Sequence, residues 1–185
     1  MKKRVFIAFN LPSSAAAELG NLIKKLKKMN PKPHIRFVKP NTLHLTLHFL
    51  GDRGNQEIIA IKKILSNTAQ RCHAPTLITG QINAFPDLRS PKVVYLNIKE
   101  KTGGSLIKLQ KQLGLELEKE GIDTDHRDWR PHLTLARIPS PAHFKTPNVK
   151  LPILKIPIAS IELMESNLTS YGSQYIILES FTFKV

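Results

Sequence analysis

The tetrapeptide His-Leu-Thr-Leu occurs twice in this chain, at 44–47 and at 132–135. Imidazole and hydroxyl groups at that spacing can transfer protons around a shared anion if both segments are β-strands. Side chains of a strand alternate between its faces, so His44 and Thr46 share one face while Leu45 and Leu47 share the other. His132 and Thr134 are separated from Leu133 and Leu135 in the same way. Each strand would therefore hold an imidazole and a hydroxyl roughly 7 Å apart at their Cα atoms. Two such strands facing each other across a cleft would bracket a tetrahedral phosphate. One imidazole could take a proton from an attacking water while the other protonates the oxygen leaving on the far side of phosphorus. Histidine suits both tasks because its ordinary pKa lies near neutrality. The hydroxyls of Thr46 and Thr134 would donate to the non-bridging oxygens as charge builds there. The plainer alternative is a duplicated β-unit whose polar residues merely face solvent.

Other candidates carry weaker signals. Arg137 lies five residues after His132, and strict alternation puts it on the opposite strand face. It is either an extra cation for the phosphate, reached through a twist, or a surface arginine at a strand end. Zinc is the rival for paired histidines, but His-x-Thr offers one good ligand per strand, with no Asp, Glu or Cys at a companion spacing. No metal is expected. His48 shares parity with His44 and reads as a solvent-facing strand residue. His34, His73, His126 and His143 fall in loops or at helix ends and read as surface residues. Gly103-Gly104 lacks the spacing of a nucleotide-binding loop and reads as a helix start. Cys72, the single cysteine, excludes an intrachain disulfide and reads as an inert thiol.

The elements that must position these groups follow from periodicity. Residues 4–9 are β-branched and aromatic-rich, a strand, and Leu11-Pro12-Ser13-Ser14 ends it and offers an N-cap. Residues 15–29 place Leu19, Leu22, Ile23 and Leu26 at helical spacing, with Lys24, Lys25, Lys27 and Lys28 near the C-terminal end. A strand at 43–50, a helix at 56–69 and a strand at 76–85 complete one β-α-β-α-β unit. The order then restarts with a strand at 92–98, a helix at 103–120 and a strand at 132–138. A proline-rich stretch at 139–157 replaces the second helix, and strands at 158–166 and 174–183 close the chain. One domain over 1–185 is expected, built of pseudo-repeats at about 4–90 and 91–185.

Composition narrows the partner. The chain has 185 residues, of which 41% are apolar, enough for a core. It carries 28 Lys and Arg against 14 Asp and Glu, a formal charge of +14. Such an excess concentrates polyanions, and nucleic acid is the commonest of these. The apolar run after Met1-Lys2-Lys3-Arg4 is too short for a secretory signal core. No segment approaches the roughly 20 apolar residues that span a bilayer. A cytoplasmic protein with no membrane partner is expected.

Around the two motifs the sequence resembles a known family, the two-histidine (2H) phosphoesterases. More specifically it is similar to the RNA 2′,3′-cyclic phosphodiesterases of bacteria and archaea, also called 2′-5′ RNA ligases. The likeness runs through Phe6-Ile7-Ala8-Phe9 with Leu11-Pro12, then Val38-Lys39-Pro40 and the segment from Leu43 to Gly51. It continues with Phe85-Pro86, Arg130-Pro131-His132-Leu133-Thr134-Leu135-Ala136-Arg137, Ser166-Asn167-Leu168 and Tyr175. The resemblance implies a LigT-like α+β fold: bilobed, duplicated, with mainly antiparallel sheets and a central cleft. It implies His44 as proton donor and His132 as proton acceptor, Thr46, Thr134 and Arg137 as phosphate-binding residues, and no cofactor. It implies as partner an RNA, such as a tRNA fragment, ending in a 2′,3′-cyclic phosphate, with 2′-5′ ligation as an activity of some members; a monomer is expected. Where the family often has Trp before Val38, this chain has Phe37, a weaker base-stacking surface. Trp129 is a second stacking candidate or a core residue. The alternatives are a non-catalytic RNA-binding protein on the same scaffold and a phosphodiesterase for small cyclic or 2′-5′ nucleotides.

Overall fold

The computed structural model describes residues 1–100, 105–139, 143–147, 151, 153–169 and 172–184. The elements in chain order are β1 (Lys3–Asn10), α1 (Ser13–Met29), β2 (Arg36–Phe37), β3 (His44–Arg53), α2 (Asn55–Arg71), β4 (Thr76–Phe85) and β5 (Val93–Glu100). There follow α3 (Ser105–Lys119), β6 (His132–Arg137), β7 (Lys155–Pro157), β8 (Ser160–Thr169) and β9 (Gly172–Thr182). The class is α+β, as the family resemblance implied. Ser13 and Ser14 do not cap α1; they lie inside it, and the N-cap position is Pro12 with no side-chain hydrogen bond. In the proline-rich stretch the described residues contain β7, which extends the sheet by pairing with β4. The helix start read at Gly103-Gly104 lies outside the described residues.

Among the described residues nine strands form one antiparallel sheet in the order β7-β4-β5-β6-β3-β1-β8-β9, with β2 also paired to β6. The two His-x-Thr strands are its central neighbours, joined at Leu45↔Leu133. On either side of that join each histidine strand pairs with the first long strand of its own repeat, β1 for β3 and β5 for β6. The next strand outward comes from the other repeat: β8 lies beside β1, and β4 beside β5. Each half of the sheet is thus completed by a strand from the other half of the chain, which ties the two halves of the chain together on both sides of the join.

The leucines of both motifs, Leu45, Leu47, Leu133 and Leu135, are buried in the main apolar core with the inner faces of the helices. Burying that face takes its apolar side chains out of water and leaves the polar residues of the motifs on the opposite face. In α1, Leu19, Ile23 and Leu26 point inward while the lysines stay exposed. Gly20 of α1 sits against Pro40, where an added Cβ would come within 3.0 Å of the proline ring. The close approach seats the 3-10 turn Pro40–Thr42 that leads directly into His44. No helix among the described residues is long and apolar enough to cross a membrane.

Two β-bulges decide which side chains reach the cleft. In β3, Ala8 pairs with Thr46 and Ile7 with His48, leaving Leu47 as the extra residue. In β6, Tyr95 pairs with Thr134 and Val94 with Ala136, leaving Leu135 extra. An extra residue inverts the alternation beyond it. Phe49 therefore follows Thr46 on the cleft face, and Arg137 follows Thr134. The strict-parity placement of Arg137 away from His132 is corrected by the Leu135 bulge. The solvent-facing reading of His48 is corrected by the Leu47 bulge: the residue is only 4% exposed. His48 Nε2–H donates to the Gln110 carbonyl of α3 at 2.8 Å, and Gly114 leaves it room, since a Cβ there would lie 3.0 Å from His48 Cε1.

Candidate active site

One cleft of about 600 Å³ gathers His44, Thr46, His132, Thr134 and Arg137. Arg4 and Arg127 also line it, and no Asp or Glu does so among the described residues. Arg127 is held by the Asp125 carboxylate, through Nε at 2.8 and 3.0 Å and through Nη2, which keeps that carboxyl ionised, its pKa drawn down to about 2. Arg4 and Arg137 make no ion pair among the described residues. A concave surface with uncompensated cations, two imidazoles and two hydroxyls is suited to an anion.

The two histidines are held in matching ways. His44 Nδ1–H donates to the Thr42 carbonyl at 2.8 Å, and His132 Nδ1–H donates to the Arg130 carbonyl at 2.6 Å. A carbonyl only accepts, so in the neutral ring the proton sits on Nδ1 and the lone pair on Nε2. Each ring is also wedged between two aromatic rings. For His44 these are Phe6 and Tyr175, at centroid distances of 5.2 and 5.0 Å. For His132 they are Phe85 and Tyr95, at 5.3 and 5.1 Å. The cages come from β1 and β9 on one side and from β4 and β5 on the other. Short-range sequence reading missed their geometry because each ring is brought in by a different strand.

Burial pushes the pKa of both imidazoles below the ordinary 6.5, against the opposing effect of each carbonyl hydrogen bond. The Arg137 charge lowers both further, and a charge on His132 lowers His44 again. Mutual repulsion of this kind couples the two titrations, so they belong to the pair. An anion bound between the rings would act in the opposite direction and favour their protonated forms.

The remaining sequence candidates are distributed unequally. Trp129 is partly buried, and its Nε1–H donates to the Thr46 carbonyl at 3.0 Å, fixing the indole to the first His-x-Thr strand. It lines a second cavity of about 490 Å³ that shares Thr46, Phe49, Phe85 and His132 with the cleft. Phe49, 58% exposed, borders both cavities and was not singled out from the sequence. Phe37 packs on the core and on Phe144, at a centroid distance of 6.3 Å, while its neighbour Val38 faces the cleft. His73, His126 and His143 are exposed and His34 is half-buried, all away from the cleft lining. Burial raises the Cys72 thiol pKa, which disfavours the thiolate. Among the described residues no group of three or more His, Cys, Asp or Glu is arranged to hold a metal ion.

Comparison with known proteins gives a consistent set of relatives. Residues 9–95 match the family model described as LigT like Phosphoesterase. A protein of Archaeoglobus fulgidus named RNA 2′,3′-cyclic phosphodiesterase is 31% identical over 136 residues, covering 73% of this chain and 72% of the relative. One of Methanothermobacter thermautotrophicus with the same name is 28% identical over 189 residues, covering 98% and 99%. One of Escherichia coli is 33% identical over 141 residues, covering 76% and 74%. A crystal structure of a Thermus thermophilus protein superposes with a TM-score of 0.75 at 27% identity, covering 97% of each chain. The structure of E. coli LigT complexed with 3′-AMP, at 24% identity and TM-score 0.77 over the whole of both chains, has the same fold.

Proposed function

The chain belongs to the LigT-like phosphoesterase family, and from that premise we propose that it hydrolyses RNA 2′,3′-cyclic phosphate ends to 2′-phosphomonoesters. The observation that carries the proposal is the matched pair of imidazoles, each freed at Nε2 by a carbonyl on Nδ1, lining one cleft without carboxylates. A cyclic phosphodiester placed there would meet His132 Nε2 as the base that removes a proton from water. The water oxygen bonds to phosphorus, the P–O3′ bond breaks, and His44 Nε2–H delivers its proton to O3′. The 2′-oxygen keeps the phosphate. Thr46 and Thr134 donate to the non-bridging oxygens, and Arg137 balances the charge that grows on them. Water attack and alcohol departure on opposite sides of phosphorus require two proton-transfer groups rather than one, which the paired motifs supply. We propose Trp129 as a contact for the nucleobase, because its indole is anchored to the backbone of Thr46, beside the phosphate-binding hydroxyls. The chemistry as written uses side chains alone and needs no metal.

The direct test is incubation of an oligoribonucleotide ending in a 2′,3′-cyclic phosphate in excess EDTA. Full conversion to the 2′-phosphomonoester is expected; a 3′-phosphate product would contradict the bond assignment, and loss of activity in EDTA would contradict the mechanism. The pH dependence follows from the lowered pKa values. Turnover needs one ring neutral and the other protonated, so kcat/KM is expected to be bell-shaped. Both rings lose their protons below their ordinary value of 6.5 in the free protein, so the maximum should lie on the acid side of that value. Removing a positive charge favours protonated imidazole, so Arg137→Gln should move both limbs toward higher pH while lowering the maximum. A profile that keeps its position in Arg137→Gln would separate Arg137 from the two rings.

A further inference from the structure

The register of β2 against β6 puts Arg36 directly opposite Arg137. Directly opposed residues of an antiparallel pair project from the same face of the sheet, with Cα atoms about 4.5–5.5 Å apart. Arg137 faces the cleft, so Arg36 rises beside it at the rim. Alternation along the chain agrees: Val38, two residues on, lines the cleft, while Phe37 between them turns to the core and Phe144. Arg36 is exposed. Like charges in directly opposed positions destabilise a sheet, and neither arginine has an ion-pair partner among the described residues. Two anions lying over the pair would relieve that repulsion, and the reacting phosphate accounts for only one.

Building on the proposed function, we infer that Arg36 is a second phosphate subsite, for the phosphodiester linking the cyclic nucleotide to its 5′ neighbour. A 2′,3′-cyclic phosphate occupies the last nucleotide of a chain, so the neighbouring phosphate can lie only on the 5′ oxygen of that nucleotide. A guanidinium can hold such a phosphate through two parallel N–H donors. The cleft then recognises the end of a strand, with Arg137 on the reacting phosphate and Arg36 on the next one. The subsite adds binding without touching the reacting atoms, so it acts on KM.

The smallest pair of substrates that isolates this contact is cytidine 2′,3′-cyclic phosphate with and without a 5′-phosphate. The unaltered protein is expected to prefer the 5′-phosphorylated substrate by roughly tenfold in kcat/KM, the size of one exposed charge-assisted contact. Arg36→Ala should abolish that preference through KM and change kcat/KM for the unphosphorylated substrate little. Arg36→Lys should restore part of it. The salt dependence of KM for the phosphorylated substrate should weaken by about one ion. Because the substitution removes a like-charge pair, Arg36→Ala should melt no lower than the unaltered protein, which excludes a folding defect as the cause. Turnover of both substrates with no 5′-phosphate preference, or equal losses on both in Arg36→Ala, would overturn the subsite and leave the proposed function standing. If the unaltered protein turns over neither, the oligoribonucleotide assay separates the two failures: turnover there would overturn the subsite as the contact that secures the strand end, and none there would overturn the proposed function.

Discussion

His44→Ala and His132→Ala are each expected to lower kcat on a 2′,3′-cyclic phosphate by about a hundred- to ten-thousandfold, the range for losing one positioned acid or base. The two losses should differ in how they can be repaired. If His44 protonates the leaving O3′, a substrate with sulfur in place of that oxygen no longer needs the proton, because a thiolate leaves unaided. His44→Ala should then recover most of its activity on the 3′-thio substrate, and His132→Ala should not. The reverse pattern would exchange the two roles. No recovery in either variant would mean that neither ring serves the leaving group. Both rings are half-buried and wedged between aromatic side chains, so His→Gln variants with unchanged circular dichroism would serve as controls for repacking.

The second large effect concerns the threonines. Thr46→Val and Thr134→Val keep the shape of the side chain and remove the hydroxyl donor. Each should cost about a hundred- to a thousandfold in kcat, the usual effect of losing one donor to a developing oxyanion. Binding of a 2′-phosphomonoester product should weaken far less, since its oxygens carry their charge without the geometry of the transition state. The double variant should lose less than the product of the two single losses if both hydroxyls grip the same phosphoryl group, because interacting sites are not additive. Strict additivity would instead indicate two independent anion sites, one on each strand.

How much of this could be read in the sequence depended on range. The motif strands were legible because the alternation of His44, Leu45, Thr46 and Leu47 states both their conformation and their buried face. The helices were legible from the spacing of residues such as Leu19, Ile23 and Leu26. What failed was parity beyond each motif. A bulge at Leu47 or Leu135 is set by the neighbouring strand, Ile7–Ala8 in one case and Val94–Tyr95 in the other, and local periodicity carries no sign of it. One unseen residue of slippage misplaced His48 and left Arg137 undecided. The aromatic cages were hidden for the same reason, since Tyr95 and Tyr175 reach their histidines from other strands. So was β2, two residues long, whose pairing with β6 is the only reason Arg36 stands beside Arg137. The exchange of β4 and β8 between the two halves of the sheet is likewise a property of the whole sheet and not of either half of the chain.

The symmetry of the two motifs ends at the bulges. Beyond Leu135 the cleft receives Arg137, and beyond Leu47 it receives Phe49. The imidazole and hydroxyl are thus presented twice in nearly the same form, while the residue that follows each motif into the cleft differs, a guanidinium on β6 and an aromatic ring on β3. On the proposed function, that difference would give the cleft a single sense in which to hold an asymmetric nucleotide, and with it different roles for two similarly held histidines.

The most direct test of the shared site is a titration with inorganic phosphate, observing the imidazole nitrogens of 15N-histidine-labelled protein by NMR. Without ligand, both His44 and His132 should show the proton on Nδ1. On addition of phosphate, both Nε2 signals should shift together and follow one dissociation constant, that of the single phosphate held between the two rings. A response from only one ring, or two rings titrating with different constants, would contradict the account.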